Sequence, residues 1–133
     1  MPSGRRHYRL TLADALSAHE RALRTGGLPG TPNISLIESA IARPYNGYYR
    51  EMARKAAALV QSVSTNHGFT DGNKRTTIIL THLLVSRSGY KIVPLNSDGP
   101  LDAAMENLVL AFVRHELTFD QLIAWFKARL SRV

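Results

Sequence analysis

Apolar residues recur three and four places apart along most of this chain, in segments bounded by capping residues, glycines and prolines. That period is the one an α-helix needs to bury a single face. Thr11 caps a first segment carrying Ala13, Leu16, His19, Ala22 and Leu23, with Asp14 as its acidic first-turn partner, and Gly26-Gly27 ends it. Asn33 caps a second, with Ile34, Ile37, Ala40 and Ile41, closed by Arg43-Pro44. A third runs from about Arg50 to Asn66 and sets Met52, Ala53, Ala56, Leu59, Val60 and Val63 on one face. A fourth begins near Asn73, carries Ile79, Leu80, Leu83 and Leu84, and stops at Gly89. Pro100 takes the first position of a fifth, followed by Leu101, Ala104, Met105, Leu108, Val109, Phe112 and Val113. Thr118 and Gln121 form a capping box for a sixth, with Phe119, Leu122, Ile123, Phe126 and Leu130. Between the second and third, Asn46-Gly47 flanked by tyrosines is a hairpin-turn signal and predicts a short exposed flap. Tyr90 to Pro94 reads as briefly extended. The expected fold is therefore all-α: one domain over residues 1–133, about six helices with a short flap before the third, and a basic N-terminal arm over residues 1–9.

A chain of 133 residues can bury one core and not two. No apolar run approaches the roughly 20 residues that cross a bilayer, and no apolar stretch follows the basic N-terminus as it would in a secretory signal. Cysteine is absent, so disulfides and thiolate metal sites are excluded, and the expected compartment is the cytoplasm. The formal net charge of +7 points to a negatively charged ligand. The cations are spread along the chain without a basic run interleaved with aromatics, so no nucleic-acid partner is expected.

The chemistry is concentrated between Asn66 and Thr76. His67, Gly68, Phe69, Thr70, Asp71, Gly72, Asn73, Lys74 and Arg75 make a loop that runs into the apolar run Ile78-Ile79-Leu80. A helix that starts there offers unpaired backbone N–H groups and a partial positive charge, which together favour a phosphate. His67 can accept a proton near neutral pH from a group attacking that phosphate; its alternative role is to cap the preceding helix. Asp71 offers a hard oxygen for Mg²⁺ or, alternatively, an N-cap for the fourth helix. Gly72 permits a positive φ or a close approach to phosphate. The Arg75 fork can contact two phosphate oxygens at once. Phe69 is grouped with these residues as the one that points inward and fixes the loop. His19, His82 and His115 lie in predicted helices without an acidic partner at ligand spacing, so no metal site is expected among them. Trp125 is placed at the edge of the core.

The segment His67 to Arg75 resembles the core motif of the Fic/Doc superfamily, and Asn73-Lys74-Arg75 is similar to its Doc branch, the death-on-curing toxins of toxin–antitoxin pairs. Leu36 to Pro44 resembles the stretch that precedes the flap in Doc-type proteins, and the order of helices fits from about residue 10 to residue 130. The resemblance implies that His67 is the general base, that Asp71 holds Mg²⁺, and that Phe69, Gly72, Asn73, Lys74 and Arg75 form the phosphate-binding site for ATP. AMP-transferring Fic proteins usually have glycine where Lys74 stands, and a second arginine where this chain has Ile78. Residues three apart share a helix face, so such an arginine would reach the same phosphates as Arg75, and Ile78 cannot.

Doc toxins share the lysine, lack the second arginine and act as protein kinases on a threonine of elongation factor Tu, which stops translation. By resemblance the expected activity is transfer of the γ-phosphate of ATP to a Thr or Ser hydroxyl of a translation factor. The alternatives are AMP transfer with the same residues and a nonenzymatic nucleic-acid or protein-binding module. None of the five glutamates, Glu20, Glu38, Glu51, Glu106 and Glu116, has Ser or Thr four places before it, so the internal inhibitory helix of some Fic proteins is not expected. Restraint would then come from a separate, Phd-like antitoxin, whose acidic, disordered tail would suit the basic chain.

Overall fold

Local capping chemistry starts three of the helices. The computed structural model describes residues 7–66, 68–69 and 72–133. Thr11 and Asp14 form a reciprocal capping box at the start of α1 (Leu12–Leu23), and the Asn33 side chain accepts the Leu36 N–H at the start of α2 (Ile34–Ala42). Then come α3 (Met52–Asn66), α4 (Asn73–Arg87) and α5 (Leu101–Val113), before the Thr118–Gln121 box opens α6 (Phe119–Arg129). Gly89, at φ 85°, stops α4 as expected, because only glycine takes the left-handed conformation there without strain.

The helix α3 is the hub: it packs on α2, α4, α5 and α6, with α1 lying across α4. More of α3 is buried than one face, since Ala57 and Ala58 are as enclosed as Ala56. A run of alanines lets neighbouring helices approach from several sides, and a helix buried nearly all round follows. Its buried Ser62 hydroxyl donates to the Ala40 carbonyl of α2 (2.7 Å), so the polar group is satisfied inside the core. Leu59, Leu80, Leu84, Met105, Leu122 and Phe126 are fully enclosed between these elements.

Several sequence expectations change. Leu130 does not extend α6. It adopts extended geometry and begins β2 (Leu130–Arg132), which pairs antiparallel with β1 (Tyr90–Ile92), setting Ile92 opposite Leu130. The partner strand lies some forty residues away in sequence, so local periodicity carries no trace of it. Pro100 stands at the N-cap (ψ 150°) instead of the first helical position of α5. His115 lies beyond α5 at φ 61°.

No hairpin forms at Asn46-Gly47. Residues Arg43–Tyr45 continue α2 as a 3₁₀ turn, and Gly47 is not at the positive φ that a type I′ hairpin turn needs. The Asn46 side chain instead accepts the Tyr48 N–H (3.2 Å), closing a local turn. Tyr45 is turned inward: its hydroxyl accepts from the Leu10 N–H (2.7 Å) and donates to the Tyr8 carbonyl (2.6 Å). With the Tyr8 N–H donating to Ser88 Oγ (2.8 Å), these bonds tie the segment His7 to Leu10 to the body, so only residues 1–6 of the expected arm lie outside the described residues. No described helix is long and apolar enough to cross a membrane.

Candidate active site

The described residues of the link from α3 to α4 are held by contacts from α1, from the start of α2 and from the start of α4. Gly68 is clamped: its carbonyl accepts the Asn33 N–H (2.8 Å), and a Cβ there would stand 2.7 Å from Ile37 Cγ1. Phe69 is 4% exposed, and its ring lies flat on His19 of α1, centroids 3.9 Å apart and planes 12° apart. Asn73 turns its side chain back along the link. Its Nδ2 donates to the Phe69 carbonyl (3.0 Å), and its Oδ1 accepts the Phe69 N–H in a longer contact (3.4 Å). The Asn73 side chain is thus occupied as a brace.

Gly72 is the N-cap of α4 at φ 80°, a conformation that costs an L-residue about 1–2 kcal/mol. Because it has no side chain, it caps nothing. The first backbone bond inside α4 runs from Thr76 N–H to Gly72 C=O (2.9 Å), so the N–H groups of Asn73, Lys74 and Arg75 have no carbonyl partner within the helix. These donors, at the positive end of a 15-residue helix, are suited to an oxyanion.

Lys74 and Arg75 are both exposed in this first helical turn. The expectation that Lys74 lies inside the loop is therefore corrected: it is the second residue of α4. Gly72, Asn73, Lys74, Arg75 and Ile78 share the lining of one cavity of about 370 Å³, whose far wall is Val109, Leu110 and Val113 of α5. Glu106 is its one acidic lining residue among those described. Neither cation forms an ion pair with a described carboxylate, since the two pairs found are Arg54–Glu51 and Arg129–Asp98. Arg75 also lines a neighbouring groove of about 700 Å³ with Arg21 and Arg24 of α1 and with His82, whose pKa burial lowers against the opposing pull of Asp102.

His67, the base of the sequence reading, and Asp71, its metal ligand, lie outside the described residues, as does Thr70. Among the described residues no group of three His, Cys, Asp or Glu side chains could hold a metal ion. Helix-start amides without a carbonyl partner inside α4, beside two exposed cations at a cavity, are suited to an anion.

Sequence reasoning missed the residues that hold the link in place: His19, Asn33 and Ile37. Their contacts with it span more than thirty positions, and His19 gave no signal beyond its place on the apolar face of α1. Trp125 is half-buried at the core edge as expected, with the Arg129 guanidinium 4.2 Å over its ring. Tyr48 is exposed, while Tyr45 is engaged in the body and Tyr49 meets the Phe119 ring edge-on.

The profile of the Fic/DOC family matches residues 9–85, which run from before α1 to near the end of α4 and include Gly68 to Ile78. Over 116 residues the chain is 33% identical to "Toxin Doc" of Mycolicibacterium smegmatis (strain ATCC 700084 / mc(2)155), a match covering 84% of this chain and 85% of that protein. The chain belongs to the Fic/DOC family.

Proposed function

We propose that this protein is a Doc-type toxin and a protein kinase that transfers the γ-phosphate of ATP to a Thr or Ser hydroxyl of a translation factor, elongation factor Tu by resemblance, and so arrests translation. The observation that carries this reading is that Lys74, Arg75 and Ile78 line one cavity at the start of α4. The residue that replaces the second arginine of AMP-transferring relatives thus faces the same space as the cations. With one arginine fewer along the helix and one lysine more in its first turn, the triphosphate is held differently from the way an AMP transferase holds it.

In this reading His67 takes the proton from the target hydroxyl as its oxygen bonds to the γ-phosphorus. The bond from that phosphorus to the bridging oxygen breaks, and ADP leaves with the electron pair. The amides of Asn73, Lys74 and Arg75, together with the two cations, hold the phosphates in line and stabilise the charge that develops. Mg²⁺ held by Asp71 would neutralise further phosphate charge when bound. The supporting facts are the family membership, the similarity to a protein named a Doc toxin, and two exposed cations in the first turn of α4 at one cavity. A separate antitoxin, Phd-like by resemblance, would restrain the toxin.

Growth of cells expressing the protein tests the catalytic reading. His67→Ala and Asp71→Ala should each relieve growth arrest while the purified variants keep the helical circular-dichroism signal of the parent. Undiminished arrest by both folded variants would defeat it in favour of a nonenzymatic binder.

A further inference from the structure

The phosphate cradle is made by backbone, so its geometry depends on whatever holds that backbone. On one side, Gly68 is fixed by Asn33 and Ile37 of α2. On the other, α1 supplies the flat ring of His19, with Ala22 and Leu23 beside it. His19 is 5% exposed, lies parallel to Phe69 at 3.9 Å, and also faces the N-cap of α4: a Cβ on Gly72 would meet His19 Cδ2 at 3.6 Å. Leu23 Cδ2, at 3.6 Å, and Ala22 Cβ, at 3.7 Å, complete the wall against Gly72. One side chain on α1 therefore stacks on Phe69 and also faces Gly72, on either side of Thr70 and Asp71 in the sequence.

We infer that His19 is a positioning residue for the phosphate cradle, acting through Phe69 and Gly72. This rests on the phosphate-binding reading of the site and adds to it the residue that sets the cradle's shape. One feature makes a planar side chain suitable. Parallel stacking fixes the Phe69 ring against sliding in its own plane less firmly than against tilting, and the Asn73 brace on the Phe69 backbone supplies the missing restraint. The platform itself is firm: the Thr11–Asp14 box fixes the start of α1, and α1 packs along α4, the helix whose N-terminus it shapes. Moving the amides of a cradle by about 1 Å costs on the order of a hundredfold in a reaction that depends on alignment, so a contact that controls Phe69 and Gly72 together controls function.

The test uses the full chain with inorganic tripolyphosphate as probe. Amide hydrogen exchange is measured in parallel, with α5 and α6 as internal reference. In His19→Ala, exchange over residues 68–76 should rise about tenfold relative to α5 and α6, and tripolyphosphate binding should weaken about tenfold. His19→Phe, which restores the flat stack, should recover clearly more of both than His19→Leu, which restores burial without the stack. Unchanged local exchange in folded His19→Ala, or full rescue by His19→Leu, would overturn the assignment and leave His19 an ordinary core residue. Should the parent chain itself fail to bind tripolyphosphate, the phosphate reading of the site falls, while the exchange comparison still decides whether His19 shapes the link.

Discussion

Asn73 offers a quantitative test of how the cradle is built, because its side chain makes two contacts with one residue. Asn73→Ala removes the 3.0 Å donor bond to the Phe69 carbonyl and the weaker 3.4 Å contact from the Phe69 N–H. A net hydrogen bond contributes about 1 kcal/mol, and leaving its part-buried partner unsatisfied costs about 1 kcal/mol more, so the loss is about 2 kcal/mol. Alanine is the better helix former at an interior-facing first position by about 0.5 kcal/mol, which offsets part of it. The remaining loss of about 1.5 kcal/mol lowers the folded-to-unfolded ratio about tenfold. Spread over an unfolding entropy of about 2.1 cal/mol/K per residue, it should lower Tm by about 5 °C. Asn73→Asp also loses the donor bond, but its charge at the positive end of α4 returns about 0.3–1 kcal/mol. It should therefore melt close to the alanine variant. Phosphate separates the two: the aspartate places negative charge beside the helix-start amides and should weaken tripolyphosphate binding more than alanine does. Thermal unfolding followed by circular dichroism, with calorimetric titration of the same samples, reads both quantities. An alanine variant that melts within about 1 °C of the parent would refute the brace, and an aspartate variant that binds tripolyphosphate as the parent does would refute the cradle.

Two further outcomes follow from other parts of the structure. Gly68→Ala introduces a Cβ 2.7 Å from Ile37 Cγ1 and 3.2 Å from the Ile37 backbone nitrogen, so it should destabilise the fold by about 1–3 kcal/mol through overpacking; unchanged thermal stability would contradict the tight clamp. The bidentate bonds from Arg129 (2.6 and 2.8 Å), helped by the Leu95 N–H, hold the Asp98 carboxyl below the usual carboxylate range despite an opposing desolvation effect. A group with a lowered folded pKa contributes stability that is present above its unfolded pKa and is lost as pH falls toward the folded one. The stability advantage of the parent over Asp98→Asn should accordingly be constant near neutrality and shrink below about pH 4; denaturant melts that differ equally at all pH values would refute the pairing.

Much of the architecture was legible because it rests on local chemistry. Thr11 with Asp14, Asn33, Thr118 with Gln121, and Gly89 mark helix ends through bonds or conformations that span a few residues, and each acts where the sequence placed it. What was illegible depends on partners distant in the chain. Leu130 leaves α6 because β1 is there to receive it: the Val93 N–H donates to the Arg129 carbonyl (2.7 Å), and Asp98 holds the Arg129 side chain. The Asn46-Gly47 signal fails because Tyr45 is drawn inward by Tyr8 and Leu10, so no second strand is available to pair. At the site, the order of residues pointed to a glycine and two cations at a helix start, where Gly72, Lys74 and Arg75 are found. It gave no hint that the Asn73 side chain turns back onto Phe69, or that His19 stacks on the Phe69 ring. A stacking contact across fifty positions leaves no pattern in a single sequence.

The central claim concerns which phosphate moves, and the mass of the modified target tests it most directly. The purified protein is incubated with Mg²⁺-ATP and elongation factor Tu, and the intact target and its peptides are weighed. The account predicts the addition of one phosphoryl group to a Thr or Ser hydroxyl, ADP as the second product, and no modification by His67→Ala. An AMP group on the target, with release of pyrophosphate, would contradict it and show that Lys74 and Ile78 do not redirect the triphosphate.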